Sequence, residues 1–414
     1  MALCTACIFL IPLAVAGLAL INTGLGRSRS AAHSMLAALC VAAVAAVVYA
    51  AWGFALQGVA GGPAHLVQVG EKTWNWIGSG PIFLRGVDLE ASPDLLIALL
   101  QMFSVSLAAI IPLGSGAERW RLGPCCVSTA ILAGCTYPLF AHWVWGGGWL
   151  AQLDADAGLG RGFLDVAGSS TVQAVGGVTA LAITWILGPR HGKYASEGIP
   201  AALPGHNIVF VLSGCLLAWG GWLGLNSAGA MLLYGAKPAL VAAIAAKTTL
   251  TAAAAVLTSV ALTRARFGKP DASLSGNAWM GGLVASSAGC ALVSAMAAMV
   301  IGVIAGAIVT LGIEWLDRLE VDDPGGSIAV HALGGIWGVL AVGVLGRTPA
   351  GVSGQWLAQL VGVTTVIGVV LPLAYLLNWL LNLIYPHRLA LQGEREGMDL
   401  HELGAGAYPE AAEF

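Results

Sequence analysis

The sequence predicts an all-α integral membrane protein with about eleven membrane-spanning helices. Three observations support this fold class. First, 58% of the 414 residues are hydrophobic and only 9% are charged, so most of the chain is suited to lipid rather than water. Second, many apolar stretches can cross a hydrocarbon core about 30 Å thick, which takes roughly 20 helical residues. Third, two similar segments lie far apart in the chain, as in membrane proteins built from internal repeats.

The apolar stretches give approximate positions for the helices. The run from 277 to 313 is almost uninterrupted and exceeds one crossing, so we expect a break at 286–289. The largest segment outside the predicted spans, at 57–93, is rich in Gly and Pro, and we interpret it as a structured cover over an entrance. The predicted spans are 8–26, 33–56, 94–115, 123–145, 167–188, 206–226, 238–262, 276–292, 294–316, 328–346 and 357–385.

Basic residues indicate the orientation, because short cytoplasmic loops carry an excess of Lys and Arg. With the first loop inside, the N-terminus lies outside the plasma or inner membrane and the tail at 386–414 lies in the cytoplasm. The first apolar stretch lacks a basic leader and a clear cleavage site, so we interpret it as a retained helix. The loops assigned to the inside carry Arg27, Arg29, Arg119, Arg121, Arg190, Lys193, Arg264, Arg266, Lys269 and Arg318, and the opposite loops carry Lys72, Arg85, Arg161, Lys237 and Arg347.

Composition argues against several classes of function. A net charge of −3 and a pI near 6.2 leave no basic patch for nucleic acid. Most of the eight cysteines lie in apolar spans, where Cys packs as a small hydrophobe; a metal or redox site at Cys4 and Cys7 is the alternative, but no second pair accompanies it. No Ser, His and Asp grouping and no phosphate loop supports an enzyme, and no cofactor or metal is expected.

The internal repeat is the most specific feature of the chain. Residues 165–177 read DVAGSSTVQAVGG and residues 323–335 read DPGGSIAVHALGG, and the two align without a gap. The alignment places Gln173 on His331. Transporters built from repeats hold their substrate near the bilayer midplane, where the halves meet. The repeat therefore predicts a pathway between the halves, with Gln173 and His331 facing each other across it.

Several segments resemble the ammonium transporter family (the Amt, Mep and Rh proteins) in order along nearly the whole chain. The most specific are WGGGWL at 145–150 and the VDDPGGSIAVHALGGIWG segment at 321–338. The others are GLALINTGLGRSR at 17–29, GSGAERWRLGP at 114–124, YPLFAHWVWGGGWL at 137–150, DVAGSSTVQAVGG at 165–177, LAWGGWLGLNSAG at 217–229, FGKP at 267–270 and EREGMDL at 394–400.

The resemblance implies a specific architecture. It implies eleven helices, an inverted five-plus-five repeat, a homotrimer and one pore in each subunit. On this basis residues 1–385 form the membrane domain, with repeats at roughly 1–190 and 200–346 and an extra helix at 357–385. Residues 386–414 form the tail, and the resemblance implies that the tail and inner loops can dock a PII-type regulatory protein.

The resemblance also assigns roles to individual residues. In the family a Trp, a Phe and a Ser recruit ammonium at an external vestibule, and Trp145 matches that Trp. Asp165 matches a carboxylate at the head of the fifth helix; we favour a structural capping role for it, with cation coordination as the alternative. Trp222 matches a pore-lining Trp, and His331 matches the second of two histidines that line a dry pore. An ionisable residue inside a membrane span is functional by default.

Other positions depart from the family pattern. Gln173 replaces the first pore histidine, and an amide cannot titrate near neutral pH, so a proton cannot pass between two imidazoles here. The two gating Phe positions fall on Ser104 and Leu225, and the recruiting Ser falls on Gly229. Cation binding at the mouth is therefore expected to be weaker, or to involve Ser104 or its neighbour Phe103.

Lys247 is the one basic residue well inside a predicted span. A charge there is costly unless it reaches the interface or finds a partner. We expect a structural pairing with a carboxylate, a backbone carbonyl or a subunit interface, since a fixed positive charge in the pore would repel ammonium.

Two functions from different classes remain open on the sequence. The first is conduction of ammonium or ammonia through a pore lined by Gln173 and His331. The alternative is a non-conducting or weakly conducting ammonium sensor on the same scaffold, acting as the receptor part of a signalling protein with a downstream signalling domain. The losses at Gln173, Ser104 and Leu225 favour the sensor, because a sensor needs a bistable bound state rather than an exit route.

Overall fold

The computed structural model describes residues 1–90, 92–194, 200–347 and 352–408. Ten helices within these residues are long and apolar enough to cross a membrane, and an eleventh helix of 18 residues lies between the seventh and ninth. The chain is therefore an all-α membrane protein of the predicted size. The helices are α1 (Ala2–Leu25), α2 (Ser28–Gln57), α3 (Pro93–Gly116), α4 (Leu122–Trp145), α5 (Ser169–Leu187), α6 (Ile208–Leu232), α7 (Pro238–Phe267), α8 (Ala272–Gly289), α9 (Ala295–Arg318), α10 (Ile328–Leu345) and α11 (Gln355–Ile384).

The break predicted at 286–289 lies slightly later in the chain. α8 continues through Gly289, and the chain turns at 290–294 before α9 begins. α8 is short and rich in Gly and Ser because most of its surface is buried by other helices rather than exposed to lipid. Small residues allow membrane helices to approach closely, which accounts for its low hydropathy.

Helix packing repeats between the two halves. α2 packs on α3 and α4, and α3 packs on α5; in the second half α7 packs on α8 and α9, and α8 packs on α10. Each half contains five crossings, so a helix and its counterpart five helices later run in opposite directions. The repeat is therefore inverted, and α11 is the additional helix, lying against α5 and α10.

The halves join along two pairs of helices. α5 contacts α10, and α1 lies along α6. Gly17 and Gly214 lie at the crossing of α1 and α6, where a Cβ atom on either glycine would come within 2.5 Å of the other's carbonyl oxygen. A side chain at either position would force the two helices, and hence the halves, apart.

Residues 58–90 lie at what we call the hairpin end of the molecule. They contain an antiparallel hairpin, β1 (Ala64–Val69) and β2 (Lys72–Gly78), which the helical hydropathy pattern did not indicate. The hairpin is anchored to α4: the indole N–H of Trp143 donates to the carbonyl of Trp76 at 2.8 Å. Three short helices lie outside the spans, Leu153–Ala157, Leu391–Glu396 and Asp399–Leu403.

The opposite end, the tail end, is covered by residues 386–408. The N–H of Arg121 donates to the carbonyl of His387 at 3.0 Å. The carboxylate of Asp399 accepts from the N–H groups of Ala32 and His33 at 3.1 and 2.8 Å, near the start of α2. The described part of the predicted tail is thus folded onto the membrane domain, and residues 409–414 lie outside the described residues.

Candidate functional site

α5 and α10, the helices that carry the repeated segments, begin with matching caps. The carboxylate of Asp165 accepts hydrogen bonds from four backbone N–H groups and two hydroxyls at 2.7–3.0 Å, all between residues 168 and 171. The carboxylate of Asp323 accepts from the N–H groups of Ser327 and Ile328 and from the hydroxyl of Ser115. These bonds satisfy N–H groups that have no partner within a helix.

Both helices then begin with a wide turn. Ser169–Ala174 and Ile328–Leu333 form π-helical turns; the N–H of Gln173, for example, donates to the carbonyl of Gly168, five residues back, at 3.0 Å. Gly168 precedes the first turn at a φ of 98°, in the left-handed region that favours glycine. Wide turns of this kind are uncommon and often mark functional sites. Gln173 and His331 both lie within them.

Gln173 and His331 form a buried hydrogen-bonded pair. The amide oxygen of Gln173 lies 2.8 Å from Nδ1 of His331, and the two residues are 0% and 3% exposed. An amide oxygen only accepts, so Nδ1 carries the hydrogen and the lone pair of the neutral ring lies on Nε2. The amide nitrogen of Gln173 is buried and has no hydrogen-bond partner among the described residues. The structure thus brings together the two residues that the repeat aligned.

Trp145 lies at the end of α4 beside the Asp165 cap. Its indole N–H donates to the carbonyl of Asp165 at 2.7 Å, and the side chain is half-buried. A Cβ atom added at Gly168 would lie 3.3 Å from Cη2 of Trp145. The Trp is therefore fixed in position by the loop that leads into α5, while part of its surface remains open.

The end of α8 is hydrogen-bonded to the start of α5, directly after the loop that begins at Asp165. The hydroxyl of Ser169 donates to the carbonyl of Val284 at 2.6 Å and accepts from the N–H of Ala288 at 2.7 Å. The indole N–H of Trp222 donates to the hydroxyl of Ser287 at 3.2 Å. Trp222 is fully buried, so its ring packs in the interior instead of lining open solvent.

Leu225 and Gly229 lie on α6, one and two turns beyond Trp222. Leu225 is 1% exposed. A Cβ atom at Gly229 would come within 2.9 Å of the Cβ of Ala167 and 3.1 Å of its Cα, so α6 approaches the α5 entry loop closely there. Without a side chain, Gly229 offers the mouth no hydroxyl, and its own carbonyl accepts from the N–H of Leu233.

Ser104 and Phe103 occupy different faces of α3. Ser104 is 2% exposed, and its hydroxyl donates to the carbonyl of Leu100 at 2.8 Å, within the helix. Phe103 instead lines an apolar groove of about 480 Å³ between α1, α2 and α3. The expectation that Phe103 contributes to the vestibule does not fit this placement, because a helix turns about 100° per residue and directs the two side chains apart. The groove is also lined by Pro12, Val15, Ala16, Ala19, Leu20, Met35, Ala38, Leu39, Ala42, Ala46, Met102 and Ser106.

Lys247 reaches a backbone carbonyl. Its ammonium group donates to the carbonyl of Val293 at 3.3 Å, in the turn after α8. Thr248, the next residue, accepts from the amide of Asn226 at 2.9 Å, and the same amide donates to Ser286 at 3.0 Å. α6, α7 and α8 are thus joined by polar contacts around Lys247.

His142 is a site residue that sequence reasoning missed. Its Nδ1 lies 2.6 Å from the carbonyl of Gln57 and its Nε2 lies 2.8 Å from Oδ1 of Asn75, so it joins the end of α2 to β2. It lies one turn before Trp145 and is 1% exposed. Its position in the AHWVW segment was the available signal, but only the folded hairpin supplies Asn75.

A buried charge network at the tail end was also not predicted. Arg190 binds Asp322 with two nitrogens at 2.9 and 3.0 Å and Glu118 at 2.7 Å, and Glu118 also pairs with Arg27. Burial alone would raise the pKa of Asp322, but the hydrogen bonds of Arg190 and the charge of Arg119 hold it below its usual value. Burial lowers the pKa of Arg119 to about 10. Among the described residues, no group of His, Cys, Asp and Glu could hold a metal ion.

Comparison with known proteins gives consistent results. The sequence model of the Ammonium Transporter Family matches residues 2–408. The ammonium transporter Amt2 of Archaeoglobus fulgidus is 36% identical over 426 residues, covering 97% of this chain and 86% of that protein. A solved structure named Sensor Amt Protein has a TM-score of 0.87 at 26% identity and covers 96% of both chains. The crystal structure of Candida albicans Mep2 has a TM-score of 0.82 at 25% identity, covering 99% of this chain and 91% of that one.

Proposed function

The chain belongs to the ammonium transporter family, whose members are membrane transporters and not enzymes, and from this we propose that it conducts ammonia between Gln173 and His331. Ammonium binds at the hairpin end, releases its proton to the water at that end and crosses as neutral ammonia. One observation carries the proposal: matching positions of two inverted repeats meet in a buried hydrogen bond of 2.8 Å. Dehydrating a small cation in an apolar pore is very costly, whereas a neutral molecule avoids most of that cost.

The hydrogen-bonding groups of the pair suit ammonia. Nε2 of His331 offers a lone pair, and the amide nitrogen of Gln173 offers a donor without a partner among the described residues. Ammonia has three N–H donors and one lone pair, so it can use both groups. Ammonium has no lone pair and would leave the amide donor of Gln173 unmatched. The pair therefore favours the neutral species in the dry part of the pore.

In this proposal Trp145 recruits ammonium. An aromatic face attracts a cation by about 0.5–2 kcal/mol, the higher value applying where water is excluded. Asp165 contributes indirectly, because its carboxylate already accepts from six donors and has little capacity left for a ligand. Ser104, Leu225 and Gly229 add no aromatic ring at the mouth, which keeps the affinity for ammonium modest.

The assembly and orientation are part of the proposal. We place the hairpin end outside the cell and the tail end in the cytoplasm, following the distribution of basic residues. We propose a homotrimer, with 1–385 as the membrane domain of each subunit. The folded part of the tail, 386–408, and the neighbouring loops form the surface on which a PII-type protein would dock. Co-purification with and without ATP and ADP tests that partner.

A second candidate function is ammonium sensing without appreciable flux. A solved structure with a TM-score of 0.87 to this chain is named Sensor Amt Protein. Gln173 supports this candidate, because a pore with one imidazole cannot relay a proton between two rings. Leu225, at a gating position of the family, is 1% exposed and supplies no aromatic ring. In this case bound ammonium would shift the populations of two conformations instead of passing through.

Flux and ammonium binding, both measured on one sample, distinguish conduction from sensing. The protein is reconstituted in liposomes, ammonium is pulsed, and luminal pH and current on a solid-supported membrane are recorded beside ammonium binding in detergent. Conduction of ammonia predicts faster luminal alkalinisation than in empty liposomes, and His331→Ala and Gln173→Ala should reduce the protein-dependent rate several-fold. The exposed residues His65 and Gln392 provide matched Ala controls. Binding without any flux would establish the sensor and contradict conduction.

A further inference from the structure

Lys247 carries a charge that the conduction pathway does not use. It lies nine residues into α7, about 14 Å along the helix axis at 1.5 Å per residue. Within the described residues its ammonium group makes one hydrogen bond, to the carbonyl of Val293, and forms no ion pair. A charge held at this depth without a carboxylate partner is costly, which calls for an explanation beyond packing.

The carbonyl that binds Lys247 belongs to the turn at 290–294, which follows the carboxyl end of α8. The carboxyl end of a helix is its negative end and favours a cation. Arg347 also reaches this turn, since its backbone N–H donates to the carbonyl of Leu292 at 3.0 Å. Lys247 through its side chain and Arg347 through its backbone therefore both contact the turn that follows α8.

The same end of α8 contacts the loop that follows Asp165. This loop and Trp145 form what we call the mouth, where the proposed function places ammonium. The carbonyls of Ser287 and Ala288 accept from the N–H groups of Ala167 and Val166 at 3.1 and 3.2 Å, directly after Asp165. The end of α8 thus contacts the loop that follows Asp165 and leads into the turn that binds Lys247, so charges of opposite sign lie near the same helix end.

We propose that Lys247 is a specificity residue: its positive charge offsets the negative field of Asp165 and of the end of α8, so that monovalent cations occupy the mouth only weakly. This inference rests on the proposed function of that mouth. Ammonium then stays long enough to lose a proton but is not trapped, and K⁺, which has no proton to lose, gains no site. The residue acts at a distance through its charge and touches no substrate.

Three substitutions separate the charge of Lys247 from its hydrogen bond. Lys247→Gln keeps a donor for the carbonyl of Val293 and removes the charge, Lys247→Arg keeps both, and Lys247→Met removes both. The control is Lys237→Gln, which removes a charge from an exposed position at the start of the same helix. Ammonium and K⁺ binding are measured by calorimetry on detergent-purified protein, and size-exclusion chromatography reports folding.

The expected effect follows from Coulomb's law. A unit charge roughly 10 Å from a bound cation, at an effective dielectric constant of about 20, changes affinity by on the order of tenfold. Lys247→Gln and Lys247→Met should therefore bind ammonium about tenfold more tightly and acquire measurable competition by K⁺. Lys247→Arg and Lys237→Gln should behave as the unchanged protein does.

Two results would overturn this role for Lys247. One is unchanged or weaker ammonium binding in a folded Lys247→Gln protein, which would mean that the charge does not act on the mouth. The other is the same change of affinity in Lys237→Gln, which would mean that any charge at this end acts alike. Failure of the unchanged protein to bind ammonium would instead contradict the proposed function.

Discussion

Asp165→Asn tests whether the cap of α5 holds the site together. In the structure each carboxylate oxygen of Asp165 accepts from two backbone N–H groups, and Oδ2 also accepts from two hydroxyls. Asparagine has one oxygen and one NH₂ group in these positions. In either orientation the NH₂ faces two buried N–H groups that can only donate.

The loss of stability in Asp165→Asn follows from the two buried N–H groups that lose their acceptor. Leaving a buried donor unsatisfied costs about 1–3 kcal/mol, so Asp165→Asn should destabilise the protein by about 2–6 kcal/mol. Asp323→Asn should cost less, about 1–3 kcal/mol, because one oxygen of Asp323 accepts only from the N–H of Ile328 and an asparagine can place its NH₂ there. We therefore expect Asp165→Asn to destabilise the protein more than Asp323→Asn, although the repeat places the two caps at matching positions.

The assay is thermal unfolding in detergent followed by size-exclusion chromatography, together with flux in liposomes. The control is Asp154→Asn at an exposed position whose carboxylate binds only the adjacent N–H of Ala155; it should change stability by less than about 0.5 kcal/mol. We expect Asp165→Asn to unfold several degrees lower and to lose flux, because the turn that carries Gln173 starts at this cap. Melting and flux equal to those of Asp154→Asn would refute the reasoning.

Two further predictions follow from the mouth and the tail. Trp145→Phe removes the indole donor to Asp165 and weakens the aromatic attraction, so ammonium affinity should fall about fivefold to tenfold by calorimetry; unchanged affinity would exclude Trp145 from recruitment. Burial would raise the pKa of Glu402, but hydrogen bonds from His33 and the N–H of Leu122 hold it below its usual 4.5. Tail docking is therefore stabilised above about pH 4.5 and lost as pH falls through the lowered value; Glu402→Gln should expose the tail to protease at pH 7, and a protected tail would contradict this.

The sequence predictions agree best with the structure where they rest on the length of apolar stretches or on the internal repeat. Helix positions followed from apolar length, and the Gln173 and His331 pair followed from an ungapped internal alignment. They differ where a residue's direction around its helix matters. Phe103 is one position from Ser104 in the chain, yet Phe103 lines a groove on one face of α3 while Ser104 is buried on another, and no residue count could show that difference.

From the sequence, apolar length and composition predict the fold class, and the ungapped repeat predicts that Gln173 and His331 meet, because both depend on spacing and hydropathy along the chain. The inversion of the repeat is expected only from the family resemblance. The folded structure was needed for the surroundings of the site: the number of donors on Asp165, whose capping role the sequence predicted, the carbonyl that holds Lys247, and the hairpin that brings Asn75 to His142. The donors on Asp165 come from a local turn. Lys247 and Val293 are 46 residues apart in the chain, and His142 and Asn75 are 67 apart. Lys247 and Val293 become neighbours only when α7 packs beside the turn after α8, and Asn75 reaches His142 only when the hairpin folds onto α4. Neither arrangement can be read from spacing along the chain.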